Sequence, residues 1–476
     1  MSASANNIKQ PFLILLFVST VFTLISLSGF ESDFLPDMLS DLKKPVKPMA
    51  QAPSPTEQEK EIFVVEGADS SGLQQDTTLS KDSIQSRPTS KKAVAGDTLA
   101  IKNIAAFTDF FEALSALKKG DKKKVRIAYF GDSMIEGDFI TDDLRRLYQK
   151  KYGGSGVGYV PITSVVATFR QSIGHSFSGD WQDYNFTKKG KHSLFLSGHA
   201  FATAEESNVR YKMVKKYGAF ENAYLLHGSG QCTVVMEADT IRQSIKLTGE
   251  NKVNKTTLLK DQPAKGLKLT TKECGQVDLY GVSFESDEGI VLDNYSFRGI
   301  SGIEYKNISD EMYTHSAELL PYDLIVLHYG LNVANDTVTN YHWYETKFAA
   351  VVRRIQQFYP NTTILLVSVS DKASRQDDVF QTSPAVPTLV KIQERIARKE
   401  QVAFWNLYQA MGGYNSMVKW VEEKPVKAHT DYTHVNGAGA QKIATLLFDY
   451  LEAEFAVYNQ GEKNKKSESR DSSSLR

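Results

Sequence analysis

Val125 to Phe130 is a largely apolar run of the kind that forms a buried strand, and it stops abruptly at Gly131-Asp132-Ser133. Phe139, Ile140, Leu144, Leu147 and Tyr148 then recur at helical spacing, so the pattern predicts Ser133 between the end of a strand and the start of a helix. Open α/β sheets bind ligands at such points, and a serine at a helix N-terminus offers an unpaired backbone N–H to an anion. An ordinary Asp/Ser helix cap fits the same residues. Upstream, Phe107, Phe110, Phe111, Leu114 and Leu117 predict a helix over about 106–117, with Lys118-Lys119-Gly120 as its stop. Downstream, Tyr322 to His328 predicts a strand that ends in Tyr329-Gly330-Leu331-Asn332. A helix striped by Tyr341, Tyr344, Phe348, Val351, Ile355 and Phe358 follows, then a strand over 363–369, a helix over 388–398 and a strand over 402–407. A closing helix carries Ala440, Ile443, Leu447 and Phe455 and starts just after His434-Val435-Asn436. This alternation is a β-α-β repeat.

Between about Ala167 and Leu292 the texture changes to short runs over 223–226, 233–237, 241–247 and 276–284. These predict antiparallel strands, and hence a β-rich unit inserted into the α/β domain. Cys232 and Cys274 both fall in it, each beside a predicted strand, and are either disulfide-bonded or two buried thiols. The glycines of Gly153-Gly154-Ser155-Gly156-Val157-Gly158 resemble a phosphate loop only superficially. No Lys-Ser/Thr follows and a helix precedes them, so a flexible turn is expected.

The 476 residues, 41% of them hydrophobic, suffice for two or three domains. Lys and Arg number 56, as do Asp and Glu, and a net charge of +0 gives no global field toward nucleic acid or an anionic membrane. Pro11 to Leu27 is almost uniformly apolar, after Lys9 and before Glu31, Asp33 and Asp37. Its length is near the lower limit of the ~17 to 25 residues that span a bilayer, which favours an uncleaved anchor in residues 11–29 with the remainder facing outward. Ser26-Leu27-Ser28 keeps a cleaved signal peptide as the second reading. Residues 31–100 are rich in Pro, Ser, Lys, Asp and Gln and read as a disordered tether. The expected organisation is a signal anchor or signal peptide over 1–30, then this tether. An α/β domain over 101–166 and 293–460 comes next, with the insertion over 167–292 and a disordered tail over 461–476.

Three segments at predicted strand ends carry polar groups that could converge: Gly131-Asp132-Ser133, Gly330-Leu331-Asn332 and Asp431-Tyr432-Thr433-His434. Their order, with a glycine between the first and second, resembles the SGNH/GDSL hydrolases over about residues 101–459 apart from the insertion. The insertion, the apolar N-terminal run and Gly-Asp-Ser-x-x-Glu-Gly-Asp look most like exported peptidoglycan O-acetylesterases. The resemblance implies a three-layer α/β/α fold with a mostly parallel sheet and a β-sandwich-like insertion. It implies Ser133 as nucleophile, His434 as its base and Asp431 as the group orienting His434, the set that acyl transfer requires. It also implies an oxyanion hole from the N–H of Ser133, that of Gly302 and the Asn332 amide, with Gly299 matching nearly as well as Gly302. Val333 departs from the pattern, since the family often has Asp after the Asn. No cofactor is implied; a zinc reading of His429-x-Asp431-x-x-His434 lacks a further Cys or His cluster.

The resemblance thus implies a serine esterase that removes O-acetyl groups from peptidoglycan or another extracytoplasmic glycan. The alternatives are a glycan O-acetyltransferase, a lipid or aryl esterase, or a glycan-binding anchored protein with a decayed site. Asn335-Asp336-Thr337 is a glycosylation sequence whose sugar would crowd Asn332, which favours a bacterial envelope over a eukaryotic secretory route. The expected partners are the acetylated glycan and the membrane, with no nucleic acid. The inserted unit is expected to position the glycan, with Trp181, Tyr184, Tyr211 and Tyr217 as types that stack on sugars.

Overall fold

The computed structural model describes residues 103 and 105–474, apart from 189, 273, 275 and 276. The expected anchor over 11–29 and tether over 31–100 lie outside the described residues. No described helix is long and apolar enough to cross a membrane.

The chain runs through α1 (Thr108–Lys119), β1 (Lys124–Gly131) and α2 (Thr141–Tyr152) into an antiparallel stretch. That stretch comprises β2 (Gly158–Pro161), β3 (Ile173–Ser178), β4 (Gln182–Asn185), β5 (His199–Ala202), β6 (Asn208–Met213), β7 (Asn222–His227), β8 (Gly230–Ala238), β9 (Ile241–Gly249), β10 (Asn254–Leu259), β11 (Gly266–Lys272) and β12 (Leu279–Glu285). The α/β texture resumes with β13 (Gly289–Ser296), α3 (Asp310–Leu319), β14 (Leu324–His328), α4 (His342–Phe358) and β15 (Thr363–Val367). A hairpin of β16 (Ala373–Gln376) and β17 (Val379–Thr382) leads to α5 (Ala385–Glu400) and β18 (Ala403–Trp405). Two short helices, α6 (Leu407–Met411) and α7 (Ser416–Glu422), precede the closing α8 (Gly437–Ser474).

The central sheet has the order β13-β1-β14-β15-β18 and is parallel throughout. Strands β14 and β15 are buried at every residue, and β1 at all but Lys124, as expected for strands covered on both faces. Helix α2 packs on α8 and α4 on α5, which gives the three-layer arrangement. Strands β13 and β14 flank β1, so the chain switches sides at the carboxyl end of β1, where Ser133 lies.

The inserted strands form two antiparallel sheets, β10-β7-β12-β5-β4 with β2 on β12, and β3-β6-β11-β8-β9. Val160, Leu225 and Phe284 from one sheet share a buried core with Val209, Val234 and Leu269 from the other, making a sandwich. Cys232 and Cys274 are disulfide-bonded within it.

Four expectations differ from the structure. The insertion does not run from Ala167 to Leu292: β2 already belongs to its sheet, while β13, which contains Leu292, pairs in parallel with β1. The run Ile290-Val291-Leu292 looks the same in sequence whether it closes a sandwich or flanks a parallel strand. Helix α2 starts at Thr141 rather than Phe139, because the Asp138 carboxylate accepts two hydrogen bonds from the Arg145 guanidinium (2.8 and 3.0 Å) and pins a loop in which Gly137, Asp138 and Ile140 have positive φ. The glycine-rich segment is a tight crossing, not a flexible turn: a Cβ at Gly156 would stand 2.3 Å from the Phe284 carbonyl oxygen, and one at Gly158 2.3 Å from that of Leu292. The tail expected to be disordered continues α8 to Ser474.

Candidate active site

The loops after β1, β13 and β14 and the loop before α8 meet at the carboxyl edge of the sheet. Ser133 opens the turn after β1, and its Oγ lies 2.9 Å from His434 Nε2. His434 Nδ1 lies 2.7 Å from Asp431 Oδ2. The other oxygen, Asp431 Oδ1, accepts the backbone N–H groups of Thr433 (2.9 Å) and His434 (3.0 Å), so one carboxylate fixes both the loop and the ring. Burial pushes the Asp431 carboxyl up, but the N–H and ring of His434 and the Thr433 N–H outweigh it and hold the group below its ordinary value. Both ring nitrogens of His434 are thus engaged, by a hydroxyl on one side and a carboxylate on the other.

Asp132 is buried behind the serine. Its Oδ1 accepts the Met134 N–H (3.0 Å) and its Oδ2 accepts Asn332 Nδ2 (3.0 Å). Burial pushes its carboxyl up to about 6, against the Met134 N–H and the charge of His434, which pull it down. Asn332 Nδ2 also donates to the Ile300 carbonyl (2.9 Å), so this amide joins the loops after β1, β13 and β14. Both of its hydrogens are engaged, a feature the sequence pattern does not reveal. Gly302 has φ +89°, and a Cβ there would meet Phe348 and Tyr329 at 2.7 Å, whereas Gly299, at φ +81°, faces open space.

Ser133 opens on a cavity of about 180 Å³ lined also by Glu136, Phe169, His429 and His434. Glu136, Gly137 and Val166 are shared with a neighbouring cavity of about 470 Å³ between the parallel sheet and the insertion. Its lining includes Arg170, Phe177, Asp183, Lys188, His199 and Phe297. His199 Nδ1 is 2.8 Å from Asp183 Oδ1, and its ring stacks on Phe297 with centroids 4.7 Å apart. Arg170 is buried, and that burial draws its guanidinium below its ordinary value despite the Asp138 carboxylate 3.7 Å away. Arg298 Nε donates to Glu136 at 2.8 and 3.0 Å, joining the loop after β13 to the loop after β1.

The four aromatics expected to stack on sugar line neither cavity. Tyr211 is buried and donates to the Pro161 carbonyl, and Tyr217 donates to Asp142. Trp181 donates to the Asn208 carbonyl, and Tyr184 stacks on His192 at 3.6 Å. The aromatic side chains that do line the cavities are Tyr159, Phe177 and Phe297 in the larger and Phe139 and Phe169 in the smaller, of which Phe169 is 68% exposed. The alternation in His175-Ser176-Phe177 was the available signal for one of them.

No family model and no curated protein matches the chain. Among solved structures, a peptidoglycan O-acetylesterase is similar over 73% of this chain and 96% of that one, at 21% identity and a TM-score of 0.62. An acetyl xylan esterase aligns over 34% of this chain and 81% of its own at 17% identity and a TM-score of 0.28. A family two carbohydrate esterase from Cellvibrio japonicus aligns over 60% and 98% at 10% identity and a TM-score of 0.27. The first of these likenesses shows a shared fold, and in this chain that fold is an α/β/α domain carrying a β-rich insertion.

Proposed function

We propose that the chain is a serine esterase that removes O-acetyl groups from an extracytoplasmic glycan, with peptidoglycan as the leading substrate. The observation that carries this reading is the continuous hydrogen-bonded line from Ser133 through His434 to Asp431, at 2.9 and 2.7 Å, with the serine opening on a cavity. Ser133 Oγ attacks the acetyl carbonyl as His434 Nε2 takes its proton, while Asp431 fixes the ring tautomer and steadies the imidazolium. The bond between the acetyl carbon and the sugar oxygen then breaks, and His434 gives the proton to that departing oxygen, which leaves as the sugar hydroxyl. Water, activated by the same ring, attacks the acetyl-serine and releases acetate and free Ser133.

In this reading the oxyanion rests on the N–H groups of Ser133 and Gly302 and on the Asn332 amide. Gly302 is preferred to Gly299 because its neighbours Tyr329 and Phe348 leave no room for any side chain. For Asn332 to take part, one of its hydrogen bonds to Asp132 or Ile300 must be shared with the oxyanion. The larger cavity, lined by hydrogen-bonding groups such as Asp183, Asn185 and Lys188 together with Phe177 and Phe297, suits a sugar of the polymer next to the acetylated one. The likeness to a peptidoglycan O-acetylesterase supports the same substrate class, and so does an apolar N-terminal run that would hold the enzyme outside the cytoplasmic membrane.

A fluorophosphonate probe tests the nucleophile: it is expected on the peptide containing Ser133 and absent from the Ser133→Ala variant. A protein left unlabelled would instead be a glycan binder. Acetate as the product, rather than an acetylated acceptor sugar, separates hydrolysis from acetyl transfer.

A further inference from the structure

We infer that the Phe380 ring is a positioning element that, through Tyr432, sets how Asp431 and His434 meet Ser133. This rests on the proposed roles of those three residues. Hairpin β16–β17 belongs to neither the parallel sheet nor the insertion. Its two-residue turn, Asp377-Asp378, has both φ values positive (46° and 67°), the type I′ geometry that suits a tight hairpin.

The base of the hairpin is anchored firmly. Thr382 Oγ1 donates to the buried Asp371 (2.9 Å) and accepts the Asn415 N–H (2.7 Å), while Asp371 also accepts the Met417 N–H (2.7 Å). From that base it touches the catalytic loop twice. The Ala373 N–H donates to the Tyr432 carbonyl (2.9 Å), and the Phe380 ring lies flat on the Tyr432 ring, with centroids 3.9 Å apart and planes 7° apart. The residues that flank it touch the Asn332 loop, since Lys372 Nζ donates to the Ala334 carbonyl and the Ser383 hydroxyl to Asp336.

Tyr432 sits between Asp431 and His434 with φ +53°, a conformation that a side-chain-bearing residue adopts at a cost. Asp431 and His434 themselves are 49% and 41% exposed, so this loop is held by the hydrogen bonds of Asp431 and of its own backbone more than by burial of these two side chains. The stack adds a packing contact to those bonds. It also accounts for a phenylalanine left 37% exposed on a hairpin that buries little else.

The test compares the full chain with Phe380→Ala and Phe380→Tyr on a small activated acetyl ester that reaches no further than Ser133. Displacement of the acid–base pair is expected to lower kcat by about 10- to 100-fold in Phe380→Ala with KM within about twofold, because catalysis is this sensitive to small misplacements. Phe380→Tyr, which keeps the ring, restores kcat. Combining Phe380→Ala with Tyr432→Ala costs no more than the larger single loss, since both remove one contact. Melting temperatures identify any variant that is unfolded, and Phe380→Leu, which keeps bulk without a flat ring, then reads the same quantity. Unchanged kcat in folded Phe380→Ala and Phe380→Leu overturns the inference. So does a raised KM for polymeric glycan with normal small-ester kcat, which would make Phe380 a sugar platform. An inactive wild type would instead overturn the proposed function and leave these variants with nothing to lose.

Discussion

Asn332 carries a conflict of duties. Its amide ties Asp132 to the Ile300 carbonyl, yet the proposed reaction needs it at the oxyanion. The buried Asp132 sharpens this conflict, because a carboxylate hydrogen bond is stronger than one to a neutral carbonyl. Replacing Asn332 by Ala is expected to lower kcat by about 100- to 1,000-fold, the effect of removing one oxyanion donor. Steady-state kinetics on a small ester checks this, and a change confined to KM would assign Asn332 to loop packing alone. At this scale much of the site was legible in the sequence. Ser133, Asn332, Asp431 and His434 stand where apolar runs end or a helix begins, and a polar group at such an edge is visible in one dimension. Phe380 and the double engagement of Asn332 were not, because both depend on contacts between loops distant in sequence.

The elements divide in the same way. Helix α4 and strand β14 follow from their periodicity, since each buries one stripe or one run against the sheet. The limits of the insertion do not, because β13 and β12 have the same apolar texture and only their partners differ. The insertion nevertheless reaches the cavity at Ser133, through Val166 and Phe169, and meets the loop after β13 through His199 stacked on Phe297. His199→Ala and Phe177→Ala are therefore expected to slow turnover of polymeric acetylated glycan several-fold while leaving a small acetyl ester nearly unaffected. Parallel assays on the two substrates read this, and equal losses on both would mean that the cavity wall shapes the serine pocket instead.

Across the whole molecule, a buried ion network joins the insertion to the parallel sheet. Arg126 of β1 binds Asp293 of β13 (2.7 Å) and also Glu285 of β12, which accepts further from Lys255 of β10 (2.8 Å) and from Lys124 (2.9 Å). Burial pushes the Glu285 carboxyl up, but Arg126, Lys255 and Lys124 overcome this and draw it from 4.5 down to about 2. A carboxyl depressed in the folded state binds fewer protons there than in the unfolded chain between those values. It therefore contributes stability that is present above pH 4.5 and lost as pH falls toward about 2. Glu285→Gln leaves the buried cations short of a partner and is expected to cost about 3 to 5 kcal/mol near neutral pH. The gap from wild type should narrow in acid, and melting curves across that range measure it; a gap independent of pH would remove Glu285 from the acid response. The same architecture holds the Ser133 line at the edge where the two units meet, and the reaction proposed there is open to one direct measurement. Acetate release from O-acetylated peptidoglycan, by wild type and by Ser133→Ala of unchanged melting temperature, is expected to be rapid in the first and absent in the second. Release by the variant at the wild-type rate would contradict the account.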